Sequence, residues 1–343
     1  MRRLAVLAAV LLVAVLGGLA ALEAHYRGLE SGLRLRIAPP DEPGRKFVLN
    51  GPSLNAEGFR ERDLELDKPE RLYRIVVLGD SVTFGSGVRI HEAWPRYAEQ
   101  VLAEERRVQL VNLAVFSYDA EQIVATLEHR GQRWSPDLVV YAAYTNDHIP
   151  TDLLYTETGP IYVGSDLDEQ LSGPGFLLPH SALARRYFGA KATRQVSLRR
   201  EQWGGDLGWY RQQLEALHAA AGELFIYALL PHNREHEEMH RRYLDLYEEL
   251  GIPHASALPY LAGSGEDDFY IADRKGDDIA HPNPTGQRVL GWGFADALRR
   301  HQASEAVLGV DEAATIPAHV MESPDDVAPG VRRPRAGLER RDR

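Results

Sequence analysis

The chain has 343 residues, enough for one large domain or two small ones, and 44% of them are hydrophobic, enough to bury a core. A formal net charge of −11 argues against nucleic acid as the main partner. There is no cysteine, which excludes disulfides, thiolate metal sites and a cysteine nucleophile.

A three-residue head carries Arg2 and Arg3. The following stretch, Leu4 to Leu22, has no charged or polar side chain, and Glu23 ends it. As a helix rising ~1.5 Å per residue it reaches about 28 Å, close to the hydrocarbon core of a bilayer. The expectation is a single-pass signal anchor. A signal peptide cleaved near Gly18-Leu19-Ala20 is the rival, giving a secreted protein, and a buried helix is a third reading. Arg27, Arg34 and Arg36 follow soon after, so the positive-inside count is nearly balanced. The short head still favours an inside amino terminus, with the rest outside the cytoplasmic membrane. Residues 23–70 read as a polar connector bearing proline and glycine, with little periodicity.

The core then begins. Leu72–Leu78 reads as a first strand, and Glu92–Arg106 has helical spacing with Trp94, Tyr97, Val101 and Leu102 on one side. Val108–Leu113 is a second strand. Ala120–Trp134 is a second helix whose apolar face is Ile123, Val124, Leu127 and Trp134. Leu138–Tyr144 is a third strand. Residues 150–200 are rich in Gly, Pro, Tyr and Arg and weakly periodic, as expected of an insertion forming a lid or cleft wall. Helical spacing returns at Trp209–Ala221, followed by a strand at Leu224–Leu230. A polar helix near Glu235–Leu250 precedes a short strand at Ile252–Ala255. A last helix at Pro284–Arg300 has proline in its first turn, where it is tolerated. Strands alternating with helices imply a parallel sheet covered on both faces. The domain is expected over residues 71–302, and residues 303–343, arginine-rich at the end, as a disordered tail.

Four segments carry chemistry. The first strand ends abruptly in Gly79-Asp80-Ser81, and the residues after it, Val82–Gly87, give no immediate helix signal. A serine released at the carboxyl end of a buried strand is well placed as a nucleophile, because sites in open α/β sheets lie there. Neutral serine attacks esters poorly, so it needs a base and the base needs orienting. His281, in a loop-like segment before the last helix, is the best base. Asp278 precedes it by three residues, so one turn can fold its carboxylate back, with Asp277 as the fallback. Developing oxyanion charge needs preorganised donors. Candidates follow the second strand, Asn112 to Tyr118, and the third, Tyr144-Thr145-Asn146-Asp147.

Gly79-Asp80-Ser81, Asn112 with Ser117, Asn146-Asp147, and Asp278-Ile279-Ala280-His281 stand in the order of the four motif blocks of the SGNH (GDSL) hydrolase family, which the chain resembles over roughly residues 50–300. Asn55–Arg60 resembles a segment found ahead of the core in membrane-anchored bacterial members. The resemblance implies a flavodoxin-like three-layer α/β/α fold with a parallel five-stranded sheet. It implies ester or acyl hydrolysis, sometimes acyl transfer; no cofactor or metal is expected, and the alternatives are an O-acyltransferase acting on a cell-envelope glycan and a non-catalytic envelope scaffold. The substrate would be an ester- or acyl-bearing small molecule, lipid or glycan. It assigns Ser81 as nucleophile, His281 as base and Asp278 as orienter. The oxyanion hole would be the Ser81 N–H, the Ser117 N–H and the Asn146 side chain. Ser117 stands where the family has glycine, so a positive φ there would be strained. Tyr144 replaces another glycine and would narrow the cleft or add a hydroxyl to it.

Other signals are weaker. His236-Glu237-Glu238-Met239-His240 matches H-E-x-x-H, with His232 on the same face, but the segment is very polar and reads as a solvated helix face. Gly85-Ser86-Gly87 lacks the lysine and spacing of a phosphate loop. The other serine elbow, G-x-S-x-G, is not matched at positions 79–83.

Overall fold

The computed structural model describes residues 2–29, 34–37, 41–45, 47–50, 53–150, 153–156, 159–162, 181–184, 207–229, 234–262, 270–271, 278–309 and 312–321. Five strands form the central sheet: β1 (Tyr73–Gly79), β2 (Val108–Asn112), β3 (Leu138–Ala143), β4 (Leu224–Ala228) and β5 (His254–Ser256). They lie in the order β2-β1-β3-β4-β5, every neighbouring pair parallel. That order, with its reversal between β2 and β3, is that of the flavodoxin-like fold. The register sets Val77 opposite Asn112 and Gly79 opposite Ala142, so three strands end side by side at one edge.

The strands are continuous apolar runs because both faces are covered. One set of alternating residues, Val76 and Leu78 of β1 with Val139 and Tyr141 of β3, packs under α4 (Ala120–Thr126), α5 (Gly208–Ala221) and α6 (Arg234–Glu249). The other set, Ile75 and Val77 with Val140 and Ala142, packs on α3 (Trp94–Ala103) and α7 (Pro284–Gln302). Trp94 and Phe294 meet there with ring centroids 5.3 Å apart. Burying such a side chain contributes about 1.5–3 kcal/mol. The two helices approach closely at Gly291, where a Cβ would stand 2.7 Å from the Trp94 carbonyl oxygen, so even alanine would push them apart.

The expected elements are all present with shifted ends, and three regions depart from expectation. The second helix keeps regular α geometry only to Thr126 and continues as a π turn, Leu127–Gly131, and a 3-10 turn, Gln132–Trp134. The connector is structured: Arg34–Ile37 pairs antiparallel with Phe47–Asn50, and Phe59 is buried in the core. Packing also runs beyond residue 302, since Val320 on the short helix Ala318–Met321 is 0% exposed. Residues 322–343 and most of the 150–200 insertion lie outside the described residues; within the insertion Leu153–Thr156 pairs antiparallel with Gly159–Tyr162. The apolar amino-terminal segment forms the expected single helix, α1 (Arg2–Leu29), with an exposed span over Val6–Arg27 of mean hydropathy 2.5, long and apolar enough to cross a membrane.

Candidate active site

The end of β1 builds the first turn. Asp80 caps a one-turn helix, α2 (Ser81–Phe84), by accepting the Val82 N–H at 3.1 Å. Sequence gave no helix signal here, because Val, Thr and Phe favour strands; the cap and the αL residue Gly85 (φ 77°) impose the turn from its ends. Gly79 has no room for a side chain: a Cβ would stand 2.7 Å from Thr83 Oγ1 and 3.0 Å from the Ala142 oxygen. Ser81 is half-buried, and its hydroxyl donates a long 3.4 Å bond to Asp80 Oδ2. Asp80 is buried. Burial pushes its carboxyl up, opposed by the Val82 N–H and by the charge of His281.

The turns on either side of α2 come from β2 and β3. Asn112, at the end of β2, is buried; its amide donates to the Thr83 oxygen at 2.8 Å and its carbonyl accepts the Ala114 N–H at 3.0 Å. The chain then crosses the end of β1, with the Leu113 N–H on the Val77 oxygen and the Val115 N–H on the Gly79 oxygen. It reaches Ser117 at φ 61°, a left-handed conformation that serine tolerates poorly. The β3 turn is closed by Asp147, whose Oδ2 accepts the Tyr144 N–H at 2.9 Å and the Tyr141 O–H at 2.7 Å. Asn146, inside this turn, has a buried Oδ1 with no hydrogen-bond partner. Tyr144 packs partly buried against the core cluster on the α3 and α7 face.

His281 lies half-buried on the strand Asp278–Pro282, immediately before the Asn283 cap of α7. This strand pairs antiparallel with Tyr270–Ile271, with a register shift between those two residues. A strand stands where sequence suggested a turn. The Asp278 side chain and all of Asp277 lie outside the described residues. What the structure brings together is α2, which packs against the Asp278–Pro282 strand, and the turns of Ser117 and Asn146 flanking it.

The GDSL-like lipase/acylhydrolase family profile matches residues 77–289, well over half of the chain. The chain belongs to this family. It is therefore an ester-bond hydrolase of the SGNH (GDSL) type with the family's α/β fold. No curated protein sequence matches it. Solved structures similar to it include a psychrotrophic esterase from Pseudoalteromonas sp. (15% identity over 67% of this chain and 98% of that one, TM-score 0.38). A lipolytic protein of the G-D-S-L family from Veillonella parvula gives 14%, 66%, 99% and 0.40. An acetyl xylan esterase from Geobacillus stearothermophilus gives 13%, 69%, 97% and 0.40. At these similarities no substrate carries over.

Two features of this GDSL hydrolase escape a sequence reading. Beneath the Asn146 turn lies a buried relay: the Tyr141 hydroxyl meets Tyr210 at 3.2 Å, and Tyr210 meets Tyr247 at 2.8 Å. Burial, and then the nearby Asp80, push the Asp147 carboxyl well above its usual range. The tyrosines come from β3, α5 and α6, and only the i, i+4 pair Tyr243 and Tyr247 offered any local signal. The second feature corrects the reading of the H-E-x-x-H helix as a solvated face. His240 is 1% exposed, with Nε2 bonded to Ser256 Oγ at 2.8 Å, while Glu237 and Glu238 point to solvent. Among the described residues no three His, Asp or Glu side chains are grouped to hold a metal ion.

Proposed function

We propose that this GDSL hydrolase cleaves its ester through a covalent acyl-enzyme on Ser81. Ser81 Oγ attacks the acyl carbonyl carbon while His281 takes its proton. The C–O bond to the alcohol breaks, and His281 returns the proton to the leaving oxygen. Water, activated by the same imidazole, then releases the acid. Asp278 orients the imidazole. The Ser81 and Ser117 N–H groups and the Asn146 side chain bind the oxyanion. The observation that carries the reading is the seating of α2, which begins at Ser81, against the Asp278–Pro282 strand that bears His281. The place of Asn146 in the turn that adjoins α2 supports its part in the oxyanion hole.

In this proposal α1 is a retained anchor that holds the hydrolase domain outside the cytoplasmic membrane. The substrate is an ester- or acyl-bearing small molecule, lipid or glycan. A fluorophosphonate probe tests the nucleophile: it should label the wild type on the Ser81 peptide and leave Ser81→Ala unlabelled. A wild type that does not label, or a Ser81→Ala that labels equally, sinks the assignment. Asp278→Ala should slow labelling far more than Asp277→Ala, and the reverse result would move the orienting role. Free acid as the product, rather than an acylated sugar, distinguishes hydrolysis from acyl transfer.

A further inference from the structure

The one-turn helix that carries Ser81 cannot hold its own carboxyl end. A helix leaves its last carbonyls without internal partners, and a single turn barely offsets its nucleation cost. In α2 those carbonyls belong to Thr83, Phe84 and the capping Gly85. Asn112 donates to the Thr83 oxygen at 2.8 Å. The Gly85 oxygen accepts the Val88 N–H at 3.3 Å, and both it and the Phe84 oxygen are reached by a residue from well outside the sheet. Arg60 Nη1 donates to the Phe84 oxygen at 2.9 Å and to the Gly85 oxygen, and Nη2 donates to the Val88 oxygen. Its guanidinium also lies over the Phe84 ring, 5.3 Å from the centroid.

The segment that presents Arg60 is itself tightly built. Asn55 Oδ1 accepts the Glu57 and Phe59 N–H groups at 3.1 and 3.0 Å. Gly58 turns at φ +85°, where a Cβ would stand 2.6 Å from the Leu49 oxygen. Phe59 inserts into the core. Glu61, the next residue, is buried; it accepts the Asn112 N–H at 2.8 Å and pairs with Arg96 at 2.9 Å. Two adjacent connector residues thus grip α2 from both sides, Arg60 directly and Glu61 through Asn112. Only the planar fork of arginine can span three carbonyls; a lysine ammonium is a compact point donor.

We propose that Arg60 is a positioning residue for the nucleophile: it fixes the exit of α2 and thereby the direction of Ser81 Oγ. This rests on Ser81 being the nucleophile, and the test separates the two claims. Full-length wild type, Arg60→Ala, Arg60→Lys and Ser81→Ala would be compared in detergent. Fluorophosphonate labelling rates, normalised to the folded fraction, and kcat and KM for a soluble short-chain p-nitrophenyl ester would be read. A displacement near 1 Å at a reacting group costs about 10²-fold, so Arg60→Ala should lose about that in labelling rate and kcat with KM little changed. Millimolar guanidinium ion should restore part of the labelling of Arg60→Ala, and Arg60→Lys should remain well below wild type. Should Arg60→Ala not fold, Arg60→Lys alone decides. An Arg60→Ala or Arg60→Lys that labels at the wild-type rate per folded molecule overturns the proposal. A wild type that fails to label at Ser81 overturns the nucleophile assignment instead.

Discussion

The two edges of the central sheet are built differently. At the amino edge, Arg74 on β1 is 0% exposed, yet its guanidinium is fully bonded. Nε donates to Gln109 at 2.7 Å, Nη1 to the Leu66 and Trp134 oxygens, both at 2.8 Å, and Nη2 to the Glu65 and Asp67 oxygens at 3.1 and 3.4 Å. All five donors that arginine owns have acceptors. At the carboxyl edge, the carboxyls of Asp80 and Asp147 are buried. The Asn146 and Asp147 Oδ1 atoms have no bonding partner. Buried polar groups are ordinarily paired, so the unfinished edge is where a ligand can supply what is missing. The Arg74 cluster serves stability.

Paired substitutions should split along that line. Arg74→Ala leaves several buried carbonyls without donors and should cost about 3–5 kcal/mol of stability, measured by urea unfolding. The labelling rate per folded molecule should not change. Asn146→Ala should do the opposite: the unfolding midpoint stays near wild type while kcat falls about 10²–10³-fold, the usual loss of one oxyanion donor. If Arg74→Ala slows the chemistry of the folded enzyme, or Asn146→Ala unfolds it, the division between edges is wrong.

How much of this was legible in the sequence follows from the same physics. Ile75 to Leu78 and Leu138 to Ala143 announce strands because sequence-adjacent residues are all apolar, and that pattern survives without knowing what covers them. The turns holding Ser81, Ser117 and Asn146 were located because each follows such a run. The buried part of the connector was not legible because Glu42, Arg45, Arg60 and Glu61 are charged. They are buried or half-buried largely through partners far along the chain, such as Arg45 with Tyr118 and Glu42 with Arg130. No local period reports such pairs. His240 hid for the same reason, a single buried ring among charged neighbours on α6.

His240 also sharpens the comparison, since its partner Ser256 closes β5 at the carboxyl edge. Here the bonds are complete: Ser256 Oγ accepts the Leu258 N–H at 3.1 Å, which leaves its proton for His240 Nε2, and the ring also bonds the Leu229 carbonyl. The bonding state of an edge position, more than its location, therefore marks function. Burial and then Arg241 lower the His240 pKa from 6.5 to about 4. Folded protein binds fewer protons than unfolded protein between those values, so stability falls on acidification through that window. His240→Gln removes this titration while keeping an acceptor and a donor. It should reduce the acid-induced loss of stability between pH 6.5 and 4 by up to about 3 kcal/mol, read from urea midpoints across the window. Identical acid slopes in the two proteins would show that His240 is not held neutral by its burial.

The smallest effect tests the strained position. Ser117 sits at φ 61°, and a left-handed conformation costs an ordinary L-residue about 1–2 kcal/mol that glycine escapes. Glycine also has more freedom to lose on folding, so Ser117→Gly should gain at most about 1 kcal/mol. Ser117→Ala keeps the strain and removes only the hydroxyl, and should be no more stable than wild type. The backbone N–H survives in both, so the labelling rate should survive in both if that group is what the turn presents. A Ser117→Gly less stable than Ser117→Ala would mean that the serine hydroxyl outweighs the dihedral strain. A labelling rate lost in both would mean that the hydroxyl itself, and not the N–H, faces the reacting carbonyl.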